Sequence, residues 1–368
     1  MEVTSRILSD LERSIRASSD EREIALLRAE RALHLARRGG ESQSNARQEI
    51  DVLRKKNLSW GSPELSAWCH LAEGMLQLTV GNYARAADSI ERARAVAASV
   101  SDRRSQSWAV TLQAFLSYVR GDIDDVNEKV RCVFDWIVDA DPLAVARAKM
   151  LVGQILHYAG RYESARQWYA ESRSLAMSRG DDGFASALLF NVASHHVCSL
   201  RHQYFRGANI HEFARLVSLA VDSVKNYDDH ARISSQSAFS STLQASIYIF
   251  MQKFEEAEVL LRSSEDKADE GGLSKMRSIY LVDLAYCRLK MGMIEDAVAV
   301  ATPAENAISD VEHPENAAYT RDRLAEFYLD LGYNERSIAL HDVATSDWRR
   351  YEHEQGLAVD SLRRWRII

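Results

Sequence analysis

Large and small apolar residues recur along this chain in one fixed order. A glycine is followed two residues on by a large side chain, three further by a small one, four further by a large one and three further by a small one. Gly160, Tyr162, Ala165, Tyr169 and Ser172 carry the full string, as do Gly81, Tyr83, Ala86, Ile90 and Ala93. Phe254, Ala257, Leu261 and Ser264 repeat it with Gln252 in the glycine position. The residue two places after the glycine position falls at Tyr83, Ile123, Tyr162, Phe254, Ile294 and Asn334, in steps of 40, 39, 92, 40 and 40. The long step holds one further unit. Such a period marks stacked units, none of which can bury its apolar face alone.

A second set of breaks lies half a period from the first, at Asp102, Asp141-Pro142, Asp181-Asp182-Gly183, Asp228-Asp229, Gly271-Gly272 and His313-Pro314. Each unit therefore divides into two antiparallel helices. The pairs predicted are 63–79 with 83–99, 103–119 with 123–138, 142–159 with 162–178, 183–200 with 211–226, 230–251 with 254–269, 274–291 with 294–308, and 315–331 with 334–353. Asp141 ahead of Pro142, and Ser62 ahead of Pro63, suit an N-cap and first helical position. Gly160, Gly292 and Gly332 suit left-handed helix ends. Between the helices of the fourth pair, Arg201 to Ile210 replaces a tight turn, and Pro303 should kink or end its helix.

The predicted fold is all-α, an α-solenoid of about seven helix hairpins. Its domains are 1–60 as N-terminal capping helices or a degenerate repeat, 61–355 as the solenoid, and 356–368 as a C-terminal capping tail. In that tail Leu362, Trp365 and Ile368 share one face.

Composition agrees. The 368 residues include only 4 Pro and 16 Gly, so little interrupts helices away from the joints. Lys and Arg number 46 against 53 Asp and Glu, a net charge of −7 that offers no nucleic-acid footprint. Cys69, Cys132, Cys198 and Cys287 are too scattered for a metal-binding pair and read as reduced thiols. With no apolar run near ~18 residues and no leader pattern, a cytoplasmic location is expected.

The repeated string resembles the tetratricopeptide repeat across residues 63 to 353. Its longer period is similar to the extended repeats of bacterial regulators, such as the sensor arm of MalT-like activators, Rap-like proteins, and the N-terminal regions of some diguanylate cyclases. The resemblance implies a right-handed superhelix whose first helices line a concave groove. Carried over, the groove positions are Trp68, Leu71 and Met75, then Trp108, Thr111, Phe115 and Tyr118, then Arg147, Met150, Gln154 and His157. Phe190, Ser194 and Val197 follow, then Thr242, Ser246 and Ile249, Val282, Tyr286 and Leu289, and finally Asp322, Glu326 and Leu329. An alternative is that the longer repeat turns some of these into packing between units. Tyr204, Phe205 and Arg206, residue types that anchor interfaces, add a candidate contact in the long connection. The basic and Asn residues of a chaperone-tail carboxylate clamp are absent at matching positions.

Other chemistry is weakly signalled. His195, Cys198 and His202 share a helical face but lack a fourth ligand, so no metal is assigned. Asp124-Asp125, Asp181-Asp182 and Asp228-Asp229 read as helix-start caps. Arg349-Arg350 and Arg363 to Arg366, with Trp348 and Trp365, could meet an anionic partner or simply cap the array. No phosphate loop, nucleophile elbow or zinc-protease string occurs, so no catalytic residue and no cofactor is assigned. The leading reading is a non-enzymatic bacterial regulatory scaffold or adaptor that binds a protein or peptide in its groove. The alternative is a sensor whose superhelix changes pitch on binding a small molecule or peptide signal and so controls a separate effector.

Overall fold

The chain turns at the half-period joints Asp102, Asp141-Pro142, Asp181-Asp182 and His313-Pro314. The computed structural model describes residues 5–265, 276–310 and 313–368. Seventeen α-helices and no strand occur among them, an all-α helical-repeat architecture. Contacts divide the chain into two units, Met1–Leu188 with Tyr227–Ser235 and Ala358–Ile368, and Leu189–Asn226 with Gln236–Leu357.

The first unit opens with α1 (Arg6–Ala17), α2 (Glu21–Ala36) and α3 (Gly40–Trp60). Three hairpins follow, namely α4 (Pro63–Thr79) with α5 (Tyr83–Ser99), α6 (Arg103–Val119) with α7 (Ile123–Asp135), and α8 (Pro142–Tyr158) with α9 (Tyr162–Arg179). The predicted caps are in place. Ser62 accepts from the Leu65 N–H and Asp141 from the Leu143 N–H, each with proline beginning the helix.

The small residues of the repeated string let paired helices approach. Ala86 and Ala165 are enclosed, and the large Ile90 and Tyr169 that follow them reach glycines on the partner helix. A Cβ on Gly74 would meet Ile90 at 2.6 Å, and one on Gly153 would meet the Tyr169 ring at 2.6 Å.

The second unit takes the rest of α10 (Asp182–Phe205), most of α11 (His211–Ala231), and the hairpins α12 (Ser237–Phe250) with α13 (Phe254–Glu265) and α14 (Arg277–Lys290) with α15 (Ile294–Asn306). It closes with α16 (Pro314–Asp330) and α17 (Asn334–Arg364). Val197, Leu200, Val217, Val221, Leu243 and Ile247 form the core where α10, α11 and α12 meet.

Several boundaries differ from expectation. The connection read as Arg201 to Ile210 is helical through Phe205, so only residues 206–210 break the chain. Helix α11 continues through Asp228 and Asp229, which therefore lie in its last turn and are not caps. The break follows at Arg232, whose φ is 54°, and the next helix begins at Ser237. Pro303 lies inside α15, which ends three residues later in a 3-10 turn. The Gly271-Gly272 joint lies outside the described residues.

The helix before the expected tail continues into it. Helix α17 runs through to Arg364. Within the first unit Ser361 bonds Asp124 and accepts from Asn127 at 2.8 Å, and Arg364 pairs with Asp124. Asp124 is held below the usual carboxylate range, chiefly by the Ser361 hydroxyl.

Two positions test this packing. Gly153→Ala should destabilise by about 1–3 kcal/mol, because the Tyr169 ring must move. Gln252, with φ of 60° in the glycine position, carries strain that Gln252→Gly should relieve by about 1 kcal/mol. Thermal unfolding of both variants reads these opposite signs; equal shifts would mean the two sites are not constrained as described.

Asp228 gives a pH test. It is buried in the last turn of α11, where the helix dipole opposes a carboxylate, and burial pushes its pKa up to about 6. A raised acid pKa in the folded state means that ionisation opposes folding above that value and has no effect below the unfolded value. Asp228→Asn should therefore raise the melting temperature at pH 7, with the gain shrinking as pH falls from 6 towards 4.

Candidate binding site

Side chains on the first helix of each pair were expected to line a groove, and the structure divides them by exposure. In the first unit Trp68, Leu71, Met75, Trp108, Thr111, Met150, Gln154 and His157 are all buried. Phe115, Tyr118 and Arg147 keep part of their surface. For the positions on α4 and α6 the reason is α2, which packs on α4 and also reaches α6 and the start of α10. Glu30 meets Arg104, His34 lies edge-on to Trp108, and Arg37 pairs with Asp181 at 2.8 Å. The chain's own N-terminal helix thus covers the aromatic positions expected to meet a partner. His157 is buried against the rings of Tyr162 and Tyr169.

In the second unit the first helices converge on a buried polar network. Asp283 of α14 is wholly enclosed and accepts from Ser246 at 2.7 Å and from Tyr319 at 2.5 Å. Arg201 of α10 donates to Ser246 at 2.6 Å and lies over the Tyr319 ring. Arg323 of α16 is 1% exposed, 3.8 Å from Asp283 and paired with Glu326. Its guanidinium is enclosed by the rings of Tyr204, Phe205, Phe250, Tyr286 and Tyr319, at 4.5 to 5.5 Å from their centres.

Charge explains how this interior is tolerated. Two guanidinium groups face two carboxylates, and the acceptors are shared among helices that burial alone would leave with isolated charges. Burial would lower the Arg323 pKa, but Tyr319, Glu326 and Asp283 hold the group well above its usual value. Tyr204 donates to Glu326 at 2.9 Å, and burial with that carboxylate pushes its phenol up to about 12. Tyr204, Phe205 and Glu326 remain half-buried while Arg206 is exposed and paired with Glu352, so the network has an accessible edge.

Of the residues named from sequence, Tyr204, Phe205, Ser246, Tyr286 and Glu326 come together here. Arg201, Phe250, Asp283, Tyr319 and Arg323 were missed as site residues. The expected line on α16 was Asp322, Glu326 and Leu329; the observed one is Tyr319, Arg323 and Glu326. Asp322 instead faces α17, accepting from Trp348 at 2.7 Å and bonded to His341 at 2.7 Å. Val282 is likewise displaced by its neighbour Asp283. A charged residue within an otherwise apolar first helix was the available signal. Thr242, Ile249 and Val197 are buried in packing, whereas Phe190 and Ser194 keep partial exposure.

The remaining candidates fall elsewhere. His202 stacks near Trp348 and bonds Glu352 at 3.2 Å, and Cys198 lies 4.0 Å from the Tyr351 hydroxyl. No cluster of three or more His, Cys, Asp or Glu suited to a metal occurs among the described residues. Asp181 does cap α10, accepting from the Phe184 N–H at 3.0 Å.

Two solved structures resemble this arrangement over nearly their whole length. One is a Rap protein complexed with competence and sporulation factor, at TM-score 0.57 and 12% identity, covering 94% of this chain and 92% of that one. The other is aspartyl phosphate phosphatase F from Bacillus subtilis, at TM-score 0.51 and 12% identity, covering 94% and 95%. The chain has the tetratricopeptide-like helical-repeat fold. No protein-family profile and no curated protein sequence matches it. At such identity the likeness of this tetratricopeptide-like array is one of fold.

Asp283 should be the most sensitive position in the network. Asp283→Ala leaves the buried Arg323 without one of its two carboxylates and Ser246 and Tyr319 without their acceptor, and should cost about 3–5 kcal/mol. Asp88→Ala removes an exposed pair with Arg92 and should cost under ~1 kcal/mol. Chemical denaturation compares them; similar midpoints would remove Asp283 from its central place.

Proposed function

We propose that this protein is a cytosolic regulatory adaptor that binds a peptide or protein segment along the first helices of its tetratricopeptide-like array. The observation that carries the reading is the accessible edge of the second unit's network. There Tyr204, Phe205, Glu326 and Arg206 present aromatic faces, a carboxylate and a cation over a buried base in which Arg201, Ser246, Asp283, Tyr319 and Arg323 engage one another. Residues of these kinds anchor extended segments, and a base tied together between helices holds them in place.

Binding, not turnover, is the activity proposed. Asp283 and Arg323 are enclosed and engaged with neighbours, so neither is placed to act on a substrate. The fold is shared with a Rap protein solved with competence and sporulation factor, which supports a binding role. The cytosol is supported by four free cysteines, three of whose thiols burial pushes up to about 12 or beyond. No helix among the described residues is long and apolar enough to cross a membrane.

A library of immobilised synthetic peptides tests the reading. Wild-type protein should retain a subset, and a variant carrying Arg206→Ala should bind the same peptides at least tenfold more weakly while melting within a few degrees of wild type. Retention of no peptide, or equal affinity in the variant, would overturn it.

A further inference from the structure

A second cluster, wholly within the first unit, has cations in excess of its acceptors. Arg37 of α2 and Arg147 of α8 both lie over the Trp108 ring, at 5.9 and 5.5 Å from its centre, and Arg147 is also 5.5 Å from the Phe184 ring. One carboxylate serves them. Asp181 accepts from Arg37 Nη2 at 2.8 Å, while its other oxygen takes the Phe184 N–H at 3.0 Å. The Nε and Nη1 of Arg37 and the Nε of Arg147 are enclosed with no acceptor from the chain.

The neighbours do not supply the missing acceptors. Burial and the nearby Arg37 push His34 down to about 3, so its ring is neutral. Glu30 and Asp141 are engaged by Arg104 at 3.1 Å each. Arg147 has cation–π contacts and the more distant charge of Asp181, and burial followed by repulsion from Arg37 lowers its pKa to about 9.

We infer that Arg147 and Arg37 form a receptor for a carboxylate group, with the Trp108 and Phe184 rings as its walls. A guanidinium fork binds a planar carboxylate through paired hydrogen bonds, and the enclosed N–H groups of Arg37 and Arg147 are the donors left without an acceptor. A phosphate dianion would bring a second charge into an enclosed site with nothing to meet it. Arg147 keeps part of its surface while Arg37, Trp108 and Phe184 are buried, so the carboxylate enters from the Arg147 side. The inference rests on the peptide reading only for what molecule carries the carboxylate, and the test below uses no peptide.

The full-length protein is titrated with N-acetylglycinate, with neutral N-acetylglycinamide and with inorganic phosphate, at constant ionic strength, and thermal unfolding is followed. A ligand of the folded state raises the melting temperature in a saturable manner. The expected result is a rise with N-acetylglycinate, none with the amide, and loss of the rise in Arg147→Gln, which breaks no ion pair. Protection by phosphate in place of the carboxylate overturns the assignment of the ligand. Equal protection of the Arg147→Gln variant, or none in wild type, overturns the site. Should that variant fail to fold, Nε–H signals of 15N-arginine-labelled wild type decide. Two of them should shift with N-acetylglycinate and stay still with the amide, and unmoved signals reject the receptor. If small carboxylates bind while no peptide is retained, the receptor stands and the peptide reading falls.

Discussion

The structure depends on how closely the two helices of each pair approach. Gly74 faces Ile90 and Gly153 faces Tyr169 at distances that leave no room for a methyl group. Because the backbones come so near, a large ring from one helix spans the gap and fills it, and dispersion contacts replace the water that a wider groove would admit. Short joints then suffice, because antiparallel neighbours already lie side by side. Gly81, Gly121, Gly160, Gly292 and Gly332 all turn these joints with positive φ.

Close packing also determines what can be buried between first helices. Once α10, α12, α14 and α16 lie together, polar atoms facing one another exchange water for each other. Asp283 supplies the acceptor around which Ser246, Tyr319 and Arg323 arrange, with Arg201 reaching the same group through Ser246. In the first unit the corresponding interior is reached by α2, and guanidinium N–H groups of Arg37 and Arg147 there lack acceptors. One architecture therefore holds two sites of different character. The first has enclosed donors facing outward demand, and the second has a neutral base beneath an accessible aromatic edge.

Helices, joints and the small-residue register were legible because each rests on local chemistry. Caps at Ser62 and Asp141, prolines at Pro63 and Pro142, and spacing of small against large residues need only neighbours along the chain. The errors fell where local signals competed. Asp228 and Asp229 look like a helix start, yet Ile233 is buried and α11 continues to Ala231. Likewise Tyr204 and Phe205 were placed in a loop, although burial of their rings around Arg323 extends α10 through both.

The sequence by itself determined the class of fold, the number and order of helix pairs, and the residues at which paired helices touch. These follow from periodicity, since apolar spacing and turn residues act over a few positions and repeat with each unit. Tertiary structure alone decided which face of each first helix turns towards its neighbours. Tyr319, Arg323 and Glu326 line the site in place of Asp322 and Leu329, and α2 covers Trp68 and Trp108. Rotating a helix by one residue turns it by about 100°, a change that spacing barely registers. Which orientation prevails is decided by partners distant in sequence, through the cost of burying a charge without an opposite one.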